Sequence, residues 1–277
     1  RGRRVVSRRT LASVAVNGAL LVAGALTLLP LAWMVSVSLM PAGEASSAAR
    51  LLPSAPTLEH YRVLFTRLDV ARYALNSALL ATVVTLLSLL LNSMAGYAFA
   101  KLRFTGRDPI FRTLLAALVI PGQLGMLPLF LLLKELGLVN TYAGVVIPGL
   151  ASIFGIFLVR QYALSLPDSI LDAARVDGAS ELRIYWSIAL PALRPILVTL
   201  GLFTFMGTWN DFLWPLIVLS DDRMFTLPVA LANLLGEHAQ DAEVMMAGSV
   251  VTVLPMVVLF LALQKSYLAG VSGGVKG

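Results

Sequence analysis

Six stretches of this chain are long and nearly free of charge: residues 14–39, 72–99, 110–133, 141–163, 196–219 and 244–264. A helix needs about 20 mostly apolar residues to cross roughly 30 Å of hydrocarbon, and each stretch reaches that length. Backbone amides cannot go unpaired in lipid, so such spans fold as helices. Composition points the same way. Hydrophobic residues make up 58% of the 277 and charged residues 13%, with a mean hydropathy of +0.85. A soluble domain averages roughly 45–50% apolar and about 25% charged. The expected fold class is therefore all-α, a polytopic membrane protein with six transmembrane helices. The fourth stretch is the least regular on sequence, because Pro148 and the glycines at 144, 149 and 155 interrupt it.

The ends and connections follow. The start Arg1-Gly2-Arg3-Arg4-Val5-Val6-Ser7-Arg8-Arg9 looks like a signal peptide, but the apolar run from Leu11 to Met40 is too long for one. It is read as a retained first span behind a basic tail, residues 1–13. Residues 14–268 form a single transmembrane domain with a polar loop at 164–195, and 269–277 a glycine-rich tail. With the N-terminus inside, 15 of the 21 Lys and Arg residues fall in inner segments. That asymmetry places both termini and the 164–195 loop in the cytoplasm. It also accounts for the net charge of +6, so no nucleic-acid partner is expected. The chain has no cysteine and only His60 and His238, which leaves no thiolate or histidine-rich metal site. No span has a charge near its centre; Asp211, in the outer half of the fifth, comes closest. A proton- or sodium-driven carrier usually shows intramembrane ionisable groups, so energy is expected to enter from elsewhere.

The 164–195 loop is far more polar than its flanks. Ser169 stands in an N-cap position with Asp172 three residues on, as in a capping box, and Gly178 supplies a left-handed stop. The spacing predicts a helix of about two turns over 170–177, too short to be stable alone. Ile170, Ala173, Ala174 and Asp177 fall on one side, and the two alanines leave it narrow enough to enter a groove. A second helical stretch, about 179–188, leads to Leu190-Pro191, and Pro195 opens the fifth span. An amphipathic connector lying on the bilayer surface would share these features.

The pattern Asp172-Ala173-Ala174, three residues, Gly178, nine residues, Ile188-x-Leu190-Pro191 resembles the EAA motif of ABC importer permeases, with Asp in place of the usual Glu. Asn76-Ser77, Ala95-Gly96-Tyr97-Ala98-Phe99-Ala100, Leu136-Gly137-Leu138-x-Asn140-Thr141, Thr208-Trp209-Asn210-Asp211-Phe212, Thr226-Leu227-Pro228-Val229 and the ending from Gly270 are similar to maltose-type carbohydrate permeases. The resemblance implies a type I ABC importer permease fold in a bacterial or archaeal cytoplasmic (inner) membrane. It implies a coupling helix, about 169–178, that docks on an ATP-binding subunit through Asp172, Ala173, Ala174, Gly178, Ile188, Leu190 and Pro191.

It further implies a second homologous permease, two ATP-binding subunits that hold ATP and Mg, an extracytoplasmic solute-binding protein, and a sugar as solute. The chain itself would be no enzyme and carry no cofactor; it lacks G-x-x-x-x-G-K-[ST]. In such permeases a similar tail reaches the ATP-binding subunits, which singles out Gly273, Gly274 and Lys276; a frayed terminus is the plain alternative. Trp209, Asn210 and Asp211 offer an aromatic face and hydrogen-bonding groups for a sugar, or else anchor the outer interface. Asn92, Ser93 and Gln123 are further candidates for the pathway or for helix contacts. A permease for a non-sugar solute such as a glycerol phosphate ester, a secondary carrier and a non-transporting scaffold are the rival readings.

Overall fold

The computed structural model describes residues 8–47, 50–237 and 241–273. Its helices, in chain order, are α1 (Arg8–Ser38), α2 (Glu44–Ser47), α3 (Glu59–Thr66), α4 (Val70–Lys101) and α5 (Arg107–Ala117). Then come α6 (Met126–Glu135), α7 (Tyr142–Val146), α8 (Ile153–Ala163), α9 (Asp168–Val176) and α10 (Glu181–Ile184). The last are α11 (Leu190–Ala192), α12 (Arg194–Trp209), α13 (Leu213–Val218), α14 (Leu227–Glu237) and α15 (Ala242–Gly273). No strand occurs among the described residues. Four runs are long and apolar enough to cross a membrane alone: Ser13–Ser38, Val70–Lys101, Tyr142–Ala163 and Ala242–Ala262. Two bent helix pairs raise the number to as many as six.

The irregularity expected in the fourth stretch is present, and two other stretches are irregular as well. The 141–163 stretch still qualifies as one crossing, passing from α7 through a 3₁₀ turn at Ile147–Gly149 into α8. Thr141 and Ser152 cap its two helices by accepting from the amides of Gly144 and Gly155. The 110–133 stretch, which reads as one clean span, is instead broken. The helix before the break and the one after it diverge by 98°. Proline has no amide proton and steers the residue before it away from helical geometry. Pro121 accordingly sits at φ −58°, ψ 126°, followed by a 3₁₀ turn over Gly122–Gly125. The second bent pair, Glu181–Ala192 with Arg194–Trp209, turns by 77° ahead of the fifth stretch, and the 196–219 stretch itself loses its helix after Trp209 and resumes at Leu213.

The chain divides into two compact units. Of the described residues, one unit comprises those up to Asp69 with those of Asn233–Leu254, and the other comprises Val70–Ala232 with those from Pro255 on. In the first, His60 Nε2 lies 2.7 Å from the Met40 carbonyl oxygen and the Tyr61 hydroxyl 2.7 Å from Ser38 Oγ. The Ala45 amide donates to the buried Glu243 carboxylate at 2.9 Å.

In the second unit α4 packs along α8 and α12. Small and polar residues Ser77, Ala81, Ser88, Asn92 and Gly96 recur along α4 and are buried. Such residues let helix backbones approach closely where lipid removes the hydrophobic drive between helices. At Gly96 a β-carbon would stand 2.7 Å from Val159 Cβ, too near for either to stay in place. Asn76 ties the far end of α4. Its amide nitrogen donates to the Arg223 and Phe225 carbonyls, each at 2.9 Å, and its oxygen accepts from Tyr142 Oη at 2.9 Å.

Candidate functional site

The elbow between α8 and α12 is built around α9. Its N-cap is Pro167, which supplies no side-chain cap. The expected Ser169–Asp172 capping box therefore does not form: the helix starts at Asp168, ahead of Ser169, and Asp172 bonds one turn forward to Arg175 Nη1 at 2.6 Å. What secures the start is Lys101, the last residue of α4. Its Nζ donates to Asp168 Oδ1 at 2.6 Å and to the Leu166 carbonyl at 2.7 Å. The lysine side chain is 5% exposed and the carboxylate 74%. This hydrogen bond, with the adjacent positive charge, holds the Asp168 carboxyl below the ordinary carboxylate range.

The inner face of α9 rests on Leu171, buried with Tyr97, Ile184, Tyr185 and Ala189; Ala174, Ile188 and Leu190 are half-buried against this cluster. Ser93 Oγ lies 2.7 Å from Tyr185 Oη, joining the cluster to α4. On the far side Arg175 Nε donates to Glu181 Oε1 at 2.6 Å, and Glu181 Oε2 accepts weakly from Tyr97 Oη at 3.4 Å. The two carboxylates Glu181 and Asp172 push the Arg175 guanidinium still further toward its charged form.

The helix ends as expected. Gly178 takes φ +82°. Its amide donates to the Arg175 carbonyl at 3.0 Å, and the Ala179 amide to the Ala174 carbonyl at 2.9 Å. These are the paired closing bonds of a Schellman stop.

The outward side of α9 carries exposed Ile170, Ala173, Asp177 and Val176, the last 86% exposed. Ile170, Ala173 and Asp177 match the expected face, whereas Ala174 turns inward. Ile188 and Leu190 pack beneath the elbow, and Pro191 is exposed. Sequence spacing does not point to Lys101, Tyr97 or Glu181 as partners of α9; only packing brings them there. Of the tail residues, Gly273 closes α15, while Gly274 and Lys276 lie outside the described residues.

The pathway candidates separate. Asn92 is fully buried, with Oδ1 accepting from the Ser152 amide at 3.0 Å and Nδ2 donating to Ser88 Oγ at 2.7 Å. It thus joins α4 to the start of α8. Trp209 is 2% exposed and stacks on Phe205, ring centres 6.1 Å apart. Asn210 closes α12 through its own bond to the Met206 carbonyl. Gln123 and Asp211, by contrast, meet at one cavity of about 360 Å³, with Pro148, Gly149, Thr208 and Trp214 also in its wall. Asp211 Oδ1 accepts from the Trp214 amide at 3.4 Å.

Known proteins share this architecture. Residues 89–271 match the family described as binding-protein-dependent transport system inner membrane component. The chain is 43% identical to an arabinooligosaccharides transport system permease protein of Halalkalibacterium halodurans, over 81% of each chain. It is 31% identical to a lactose transport system permease protein of Rhizobium radiobacter, over 97% of this chain and 98% of that one. One solved structure, of a bacterial ABC transporter involved in the import of the acidic polysaccharide alginate, superposes with a TM-score of 0.82. It is 26% identical, covering 94% of this chain and 98% of the other.

Proposed function

The chain belongs to the family of binding-protein-dependent transport system inner membrane components and is a permease subunit of a carbohydrate ABC importer; from that premise we propose that α9 is the helix through which ATP-driven motion reaches it. The observation that carries this reading is the two-sidedness of α9. Leu171, Lys101 and Glu181 fasten the helix to the rest of the chain, while exposed Ile170, Ala173 and Val176 present an apolar outer side. A helix of nine residues is too short to stand alone, so it moves only with the body it is fastened to. An apolar ridge flanked by Asp177 fits a groove on another protein.

In this reading the elbow faces the cytoplasm and docks on an ATP-binding subunit. Two such subunits hold ATP and Mg and carry out hydrolysis. A second, related permease completes the pathway, and an extracytoplasmic binding protein delivers the sugar. Closure of the nucleotide-binding pair pushes α9, and the spans rock from inward-open to outward-open. The tail, through Gly273, Gly274 and Lys276, is the further contact with the ATP-binding subunits in this reading. The solutes named for the relatives include lactose and an acidic polysaccharide, one neutral and one anionic.

The chain contains no cysteine, so one thiol introduced at Ala173 reports cleanly. In the assembled transporter Ala173→Cys should cross-link to an ATP-binding subunit through a short bifunctional reagent. Cross-linking to lipid alone, or accessibility only from outside the cell, would remove the docking role.

A further inference from the structure

Three helix breaks of the second unit converge on one cavity. Gly122 and Gln123 belong to the turn between α5 and α6, Pro148 and Gly149 to the turn between α7 and α8, and Asp211 to the gap between α12 and α13. Non-helical backbone at membrane depth is tolerated only where protein buries it or where it lines a wet cavity. Asp211 stands just past the 16 residues of α12, a rise of about 24 Å, at the end of a bent helix pair apolar enough to cross a membrane. An ionisable group within or at the edge of such a crossing is by default a candidate for the solute path. Discontinuous helices meeting at such a group are how membrane transporters build binding sites.

The wall chemistry is selective. Gln123 is exposed, and Asp211 is half-buried, accepting from the Trp214 amide at 3.4 Å through Oδ1 and from the Leu213 amide. Among the described residues no Lys, Arg or His lines the cavity. A carboxylate accepts from paired hydroxyls, and an amide both donates and accepts. An ionised Asp211 repels an anion, and the uncharged Gln123 amide does not offset that charge. Glycerol phosphate esters and uronates would find no counter-charge here.

We propose that the cavity bounded by Gln123, Pro148 and Asp211 is this chain's own contact with the transported sugar, and that it admits neutral, hydroxyl-rich solutes and disfavours anionic ones. The inference rests on the carbohydrate-import reading but names a site and a charge rule that family membership does not supply.

The test uses Gln123→Cys in the otherwise cysteine-free chain, with the whole transporter assembled in vesicles of its own membrane. The thiol is reacted with methanethiosulfonates bearing either trimethylammonium or sulfonate, each rate normalised to that of a free thiol. The cationic reagent should react about tenfold faster, the scale on which a charged cleft concentrates counter-ions. Asp211→Asn should abolish the preference and Asp211→Glu should keep it. Sugar uptake should stop once the thiol carries its adduct.

Equal normalised rates in the Asp211 background, or full uptake with the adduct in place, would overturn the proposal. The first outcome needs no second variant to fold. Deletion of the chain with uptake of neutral sugars as readout tests the import reading separately, because the thiol rates do not depend on which solute is carried.

Discussion

Gly178 and Gly96 show two different reasons for a glycine. At Gly178 nothing lies within 4 Å of the place a β-carbon would occupy, so the constraint is the φ of +82° alone. A β-branched residue there costs roughly 1–2 kcal/mol for left-handed geometry. Gly178→Val should loosen the stop of α9 and lower sugar uptake while ATP hydrolysis continues, read as the ratio of sugar moved to ATP consumed. At Gly96 the constraint is space, 2.7 Å to Val159. Gly96→Ala should push α4 away from α8 and cost about 1–3 kcal/mol through overpacking, seen as a lower melting temperature in detergent. The need for Gly178 is legible in sequence, because a turn announces itself locally. The need for Gly96 is not, because Val159 lies 63 positions away in the sequence.

α9 illustrates how an element can be read in outline and misread in detail. Its length, its stop and three of its four outward residues follow from helical spacing. Its start does not, because Lys101 arrives from another helix. The tie also has a pH dependence. The Asp168 carboxyl is depressed by Lys101, so its stabilisation is fully present above the unfolded carboxylate value of about 3.9 and is lost as pH falls through the folded value. Protection of the 168–178 amides, their exchange relative to that of an unstructured peptide at the same pH, should be high at neutral pH and fall on acidification below about 4. Lys101→Met should show the low protection already at neutral pH and lose its change with pH. Equal exchange in both proteins would mean that the Leu171 cluster alone holds the helix.

For the whole molecule, the distribution of positive charge predicts which side each connection faces. Ala173 and Ser220 are both exposed and fall on opposite sides of the expected topology. Ala173→Cys should react with an impermeant thiol reagent only from the cytoplasmic side, and Ser220→Cys only from outside. α1 keeps most of its apolar surface uncovered, Leu21 being 75% exposed, which fits a chain that meets lipid or a neighbouring subunit along that helix.

The apolar runs, their number and the position of the elbow were set by the sequence alone. In lipid each segment must satisfy its own backbone, so span length and charge placement are local properties that can be read residue by residue. The tertiary structure alone decided which polar groups meet. Gln123, Pro148 and Asp211 reach one cavity, and Lys101 and Glu181 reach α9, across separations that no local rule covers. The bend at Pro121 lies between these cases: its cause is local, but the cavity that its broken backbone lines, through Gly122 and Gln123, is made by tertiary packing.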